Sequence, residues 1–307
     1  MRQPDDQAPA GPFPAPPPAP ATCYRHPDRV TGLRCSRCGR PICGECAQPA
    51  PVGQLCPDDA RDQVRNRVRD LPGAGGAPVV TWALLGLNAL LLLVEVAMTG
   101  NGGAGLLEPS SAALCRLGAL NSAAIAESGQ YWRLFTVMVL HAGVLHFLLN
   151  SYALYLFGPV LEQVLGRVRF LVLYVGAGFV GSGASFALGH TELGVGASGA
   201  IFGLLGALAV YFFRRRGRGG QAPFQQIVFL VLFNLLLASQ IARIDNTAHL
   251  GGFIGGLAGM ALFDALPARR SVLRALGLAA PFALGAALVA VGVTTYAPGS
   301  GLSCVGV

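Results

Sequence analysis

Apolar residues along this chain fall in long blocks, not in the 3.6- or 2-residue alternation of a half-buried helix or strand. A block of about 20 apolar residues is long enough to cross a bilayer as a helix. Seven such spans are predicted, near 79–98, 137–157, 168–188, 196–213, 224–241, 247–266 and 272–295. The connection from Thr99 to Thr136 is long for a structureless loop, so structure or function is expected within it. Ahead of the spans, residues 1–22 are a Pro/Ala-rich tail, predicted disordered, with no apolar signal core. Residues 23–60 are a compact cysteine-dense segment. Residues 61–78 are a basic linker, in which Arg61, Arg65, Arg67 and Arg69 form a short helix before a Pro72–Gly76 hinge.

Composition agrees with a membrane class. Of 307 residues, 53% are hydrophobic and 12% charged, with mean hydropathy +0.54; a soluble domain carries roughly 25% charged residues. The net charge of +7 is therefore no nucleic-acid footprint, and the 22 basic residues, all arginine, instead report orientation. One side collects Arg61 to Arg69, Arg167, Arg169, Arg214 to Arg218, Arg269, Arg270 and Arg274. The other has Arg116, Arg133 and Arg243. The first side is cytoplasmic, which puts the N-terminus inside and residues 296–307 outside as an extracytoplasmic tail.

Against this background a few polar residues stand out, because an intramembrane polar group is by default a functional hypothesis. His146 and Asn150 share one helix face through their i, i+4 spacing. Ser198 opens the fourth span and His249 lies near the outer start of the sixth. The topology brings all four to similar depth in one leaflet. A serine hydroxyl needs a neighbouring base, which histidine supplies near neutrality. The developing oxyanion needs donors, which Asn150, His146 and the free N–H groups of a helix start can provide. Glycines 251, 252, 255, 256 and 259 give the sixth span a small-residue stripe for close packing. Asn88 is expected to hydrogen-bond between helices, Glu95 to lie near the outer interface, and Glu162, after the second span, to anchor a cytoplasmic loop. A single such residue is more often structural than catalytic; the four together favour the inventory of a serine hydrolase.

Trp132-Arg133, His146-x-x-x-Asn150, Gly196-x-Ser198-Gly199 and Ala248-His249-x-Gly251-Gly252 together resemble the signature set of rhomboid intramembrane serine proteases, over roughly residues 79–295. The resemblance implies an all-α polytopic membrane protein with a six-helix core and a C-terminal seventh helix. It implies a Ser–His dyad without an acidic third member, with Ser198 as nucleophile and His249 as base. His146, Asn150 and the Ser198 backbone N–H would form the oxyanion hole. Phe202 matches an aromatic that packs on the catalytic histidine, and His141 a further histidine given a structural role. The substrates implied are transmembrane proteins cut near the outer face of the plasma membrane, and the fifth span (Phe224, Phe229, Phe233) is the family's usual gate, though these rings equally suit lipid contact. The alternative is a non-proteolytic rhomboid-like scaffold that recruits partners. A small-solute transporter is disfavoured by the lack of internal repeats or matched broken helices.

Six of the eight cysteines lie between residues 23 and 56, as Cys23-x2-His26, Cys35-x2-Cys38, Cys43-x2-Cys46 and Cys56-x2-Asp59. Ligand pairs two residues apart are a zinc signal, and a cytoplasmic placement argues against disulfides. The pattern resembles a B-box zinc finger. Its crossed order implies Cys23, His26, Cys43 and Cys46 on one structural zinc and Cys35, Cys38, Cys56 and Asp59 on the other. B-boxes usually close with histidines, so Asp58 or water are alternatives to Asp59, and one or two zinc ions are expected. So small a segment buries little core, so metal would supply its folding energy. Its expected partner is a cytoplasmic protein rather than nucleic acid, since no base-reading helix is evident. Cys115 and Cys304 lie outside the membrane, too distant in sequence to be paired.

Overall fold

The computed structural model describes residues 21–50, 53–61, 77–100, 107–188, 193–216, 219–238, 244–266, 271–297 and 304. The tail at 1–20, the basic helix with the Pro72–Gly76 hinge, and most of 296–307 lie outside the described residues. The chain divides into two units, Met1–Asp70 and Leu71–Val307.

The first unit holds a two-stranded antiparallel ribbon, β1 (Gln48–Pro49) and β2 (Gln54–Leu55), plus isolated bridges Thr22↔Val30 and Arg34↔Pro41. Its buried core is Cys23, Cys35, Ile42, Cys43, Cys46, Leu55 and Cys56. Five of those seven are cysteines, so apolar burial alone contributes little to holding this unit together.

The second unit is helical: α1 (Val79–Thr99), α2 (Ser111–Leu117), α3 (Ser122–Ser128), α4 (Arg133–Thr136), α5 (Val144–Leu165), α6 (Arg167–Ala187), α7 (Ser198–Phe213), α8 (Gln221–Ala238), α9 (Asn246–Ala265) and α10 (Ser271–Thr295). Among the described residues, five helices are long and apolar enough to cross a membrane, while Ser198–Phe213 and most of α8 are shorter apolar helices. The second span differs from the predicted 137–157. Residues 137–139 form a 3-10 turn, Leu140 is extended, and Gly143 takes φ 112° before α5 starts. Apolar side chains at 137–140 serve a buried loop, which hydropathy does not distinguish from a helix.

Helices α6, α7 and α9 pack together at the centre, and α10 lies against α6 and α9. Close approach depends on glycine. A Cβ at Gly252 would collide with the Gly199 carbonyl, and one at Gly256 with that of Gly203. Helix α1 packs on α5 instead. There Glu162 lies within α5, not in a loop after it. Its carboxylate accepts from Val80 N (2.9 Å), Thr81 N (2.8 Å) and Thr81 Oγ1 (2.8 Å). It thus caps the start of α1, whose first N–H groups lack intrahelical partners. Asn88 is fully buried, and among the described residues neither side-chain polar atom has a partner, in place of the expected helix-packing bond. Glu95, four residues before the end of α1, is likewise fully buried, with Oε1 accepting from His141 N (2.9 Å).

The segment between α1 and α5 is largely ordered, as its length predicts. Ser110 caps α2 and Asn121 caps α3 through side-chain bonds to Ala113 N and Ala124 N. Arg133 is buried; its guanidinium donates to Cys115 O (2.9 Å), Ala119 O (3.0 Å) and Gln130 Oε1 (2.7 Å), and lies 4.8 Å from the Trp132 ring centroid. Cys115 and Cys304 are joined by a disulfide across 189 residues. Sequence distance gave no ground for that pair; folding brings the tail back onto α2 and α3, where Cys304 N donates to Asn121 Oδ1 (3.3 Å) and Tyr296 OH to Glu127 Oε1 (2.9 Å).

Candidate active site and metal clusters

Ser198 is the first residue of α7 and His249 lies in the first turn of α9. Their side chains meet, with Ser198 Oγ 2.9 Å from His249 Nε2. The contact is possible because the two helices cross almost backbone to backbone at Gly199 and Gly252. Phe202, one turn along α7, stacks on the imidazole with centroids 4.2 Å apart and planes 7° from parallel. This fixes the ring plane, while Nδ1 is buried without a partner among the described residues.

The loop before Ser198 is held on three sides. Leu120 and Gly194 form a bridge, Gly196 N donates to Val137 O (2.9 Å), and Leu193 packs against the Cys115–Cys304 pair. Gly196 has φ 134°, a backbone region that favours glycine. A Cβ there would sit 2.8 Å from His146 Cε1, 3.0 Å from His146 Nε2 and 3.5 Å from Ser198 Oγ. The absent Cβ thus leaves a space bordered by both side chains.

His146 Nδ1 accepts from Ala142 N (3.2 Å). In a neutral imidazole the proton is then on Nε2, the nitrogen that borders this space, making it a donor. Asn150, a turn further along α5, is buried. One Nδ2 hydrogen donates to His146 O (2.9 Å), leaving the amide's second hydrogen, while Oδ1 has no partner. His141 packs edge-on against His146 (centroids 5.6 Å) and Phe147 (5.4 Å), with neither ring nitrogen bonded. All four residues named as catalytic therefore lie about one region, His141 lies behind it, and the chemistry such a set can perform is acyl transfer.

One residue near the dyad was not singled out from sequence. Asp245 caps α9: Oδ1 accepts from Ala248 N (2.9 Å) and Thr247 Oγ1 (2.5 Å), and Oδ2 from Ser185 Oγ on α6. The signal was present as an acidic N-cap residue just before an apolar helix. On α8, Phe229 and Phe233 are exposed and stack on each other, whereas Phe224 packs on Phe213.

In the N-terminal unit the eight predicted ligands form two groups, Cys23, His26, Cys43, Cys46 and Cys35, Cys38, Cys56, Asp59, with donor atoms in each group within 4.8 Å of one another. Four ligands about 2.3 Å from a common centre in a tetrahedron are spaced about 3.8 Å apart. Cys38 Sγ and Cys56 Sγ are 3.8 Å apart, and His26 Nδ1 is 3.4 to 3.9 Å from its three sulfurs. Both sets fit a tetrahedral metal ion. Asp58 faces elsewhere, accepting from Tyr24 OH (2.9 Å) and Arg40 (3.3 Å), so Asp59 is the carboxylate at the second group. The thiols of Cys38, Cys35 and Cys56 hold the Asp59 carboxyl down to about 2, and Asp59 in turn pushes the Cys38 thiol up to about 12.

Comparison with known proteins finds a matching family model and similar chains. Residues 128–264 match the family model described as Rhomboid domain. The chain is 37% identical over 182 residues to Rhomboid protease GluP of Bacillus subtilis (strain 168), covering 59% of this chain and 34% of that protein. It is 40% identical over 153 residues to RHOMBOID-like protein 1 of Arabidopsis thaliana, covering 49% of this chain and 39% of the relative. RHOMBOID-like protein 7 of Arabidopsis thaliana is 40% identical over 152 residues, covering 49% of each. The matched part of the chain spans less than half the length of each of these three relatives.

Proposed function

Residues 128–264 of this chain are a rhomboid domain, and from that premise we propose that the protein is an intramembrane serine endopeptidase that cleaves transmembrane proteins near the outer membrane face. The observation that carries the reading is the 2.9 Å contact between Ser198 Oγ and His249 Nε2 in a chain whose helices can span a bilayer. His249 Nε2 takes the hydroxyl proton as Ser198 Oγ attacks the scissile carbonyl carbon. The oxyanion forms beside His146 Nε2–H, the second Asn150 amide hydrogen and the Ser198 backbone N–H. The tetrahedral intermediate collapses, the C–N bond breaks, and His249 delivers its proton to the leaving amine. Water then attacks the acyl-serine with His249 again as base, freeing the carboxylate and restoring the hydroxyl.

The protein is a multi-pass membrane protein. The arginine distribution supports a cytoplasmic N-terminus in the plasma membrane, and the Cys115–Cys304 disulfide agrees, because both cysteines fall on the side assigned outside and a disulfide persists in an oxidising compartment. The cytoplasmic module would bind two zinc ions, one per ligand group, and serve as a docking unit for a protein partner. Zinc bound there would supply folding energy and take no part in hydrolysis.

The test is labelling by a fluorophosphonate or isocoumarin probe in detergent, comparing wild type with Ser198→Ala and His249→Ala. Labelling of wild type that both substitutions abolish, with melting behaviour retained, supports the reading. Well-folded wild type that no such probe labels refutes it and favours the scaffold alternative.

A further inference from the structure

The Ser–His pair is supported by a third group that does not touch it. We propose that Asp245 is a positioning residue, a fixed carboxylate one helical turn before His249 whose charge favours the imidazolium formed during acyl transfer. This rests on the hydrolase reading above.

Three observations carry it. First, the spacing is helical, since His249 N donates to Asp245 O at 3.2 Å. Side chains four apart on a helix leave their Cβ atoms about 6 Å from each other, and helical side chains lean toward the N-terminus, so the imidazole tilts back toward the capping turn. Second, the carboxylate is immobilised. Oδ1 is held by Ala248 N and Thr247 Oγ1, and Oδ2 by Ser185 Oγ, which ties the start of α9 to α6. A charge held by three donors keeps its orientation as the reaction proceeds, which is what preorganised electrostatics requires. Third, His249 Nδ1 is buried and unbonded. As Nε2 gains a proton, no direct acceptor among the described residues stabilises the ring, so a fixed anion one turn away acts through the field alone. His146 on α5 is the other titratable group facing the ring and brings no negative charge; Phe202 on α7 and Ser185 on α6 are uncharged.

Over about 6–12 Å, at an effective dielectric of about 20, a unit charge shifts an equilibrium by about two powers of ten down to about one. Asparagine caps a helix as well as aspartate does; its Oδ1 can keep the Ala248 and Thr247 donors, and its Nδ2 can donate to Ser185 Oγ in place of the bond accepted from it. Asp245→Asn therefore removes the charge and keeps the cap. In the full-length protein in detergent, Asp245→Asn should slow the maximal rate of fluorophosphonate labelling of Ser198 about tenfold to a hundredfold. The probe's half-saturating concentration and the melting temperature should stay at wild-type values, and Asp245→Glu should recover part of the rate. Labelling of Asp245→Asn at the wild-type rate overturns the proposal. So does a melting temperature that falls in step with labelling, in both Asp245→Asn and the second capping variant Asp245→Ser, since the residue is then a cap only. Wild type that does not label refutes the hydrolase reading instead, and the two failures are distinct.

Discussion

Replacing Gly252 by alanine adds one methyl group three residues beyond His249, at the point where α9 crosses α7. That Cβ would lie 2.7 Å from the Gly199 carbonyl carbon and 3.2 Å from its Cα, and would press harder still on the carbonyl oxygen. Ordinary contact begins at 3.4 Å, so the helices must part by at least the difference from 2.7 Å, about 0.7 Å. No side-chain rotation can relieve a clash with backbone. Gly199 directly follows Ser198, so the displacement passes to the dyad and would stretch its 2.9 Å contact to about 3.6 Å, outside hydrogen-bond range. A misplacement near 1 Å can lower a rate about 10²-fold, while overpacking costs about 1–3 kcal/mol of stability. Gly252→Ala should therefore remain folded, with a reduced melting temperature, and label at roughly one hundredth of the wild-type rate. The control is Gly86→Ala on α1, where a Cβ meets nothing within 4 Å. There, helix propensity favours alanine by about 1 kcal/mol, and labelling should not change. Gly252→Ala labelled at the wild-type rate would show that the crossing can widen without disturbing the dyad, and would refute the reasoning.

Other consequences can be measured in the same preparations. Asn150→Ala should lower kcat about 10²–10³-fold with little effect on melting; a change confined to KM would remove it from the oxyanion site. Glu162→Ala deprives three donors at the start of α1 of their acceptor and should cost about 2–3 kcal/mol, read as a lower melting temperature. Its labelling rate should hold, because Glu162 lies three turns along α5 from Asn150. Cys304→Ser should lower stability by up to about 5 kcal/mol, as should reduction of the wild type. Alkylation of Cys115 in unreduced wild type would contradict the pairing. Metal analysis should find two zinc ions per chain and one in Asp59→Ala. Zinc release on acidification reflects protonation of the ligands, and because the two groups share no ligand, Asp59→Asn should leave the release midpoint of the Cys23 group unmoved.

Hydropathy and ligand spacing are local properties, and what they encode was legible. Seven apolar blocks mark the five described helices long enough to span and the two shorter apolar ones, α7 and α8, because a hydrocarbon environment demands a continuous apolar run whatever the neighbours are. The crossed grouping of eight ligands followed from a family pattern of pairs two residues apart, and the structure draws together the same two sets. The start of α5 was less legible, because residues 137–140 are as apolar as a span yet run as a turn and an extended residue beneath the Ser198 loop.

Partner choice over long sequence separation belongs to the tertiary structure. Glu162 reads as a loop anchor until folding sets it against a helix start 81 residues earlier. Cys115 and Cys304 are unrelated until the tail returns to α2. Asp245 is an unremarked acidic residue until α6 brings Ser185 to it. Sequence alone determined that this chain carries a membrane bundle with a serine, two histidines and an asparagine at similar depth, and a cysteine-ligand module ahead of it. Only packing decided which atoms meet, because a 2.9 Å contact between two helices depends on the glycines that let their backbones touch, and no local pattern records which glycine faces which.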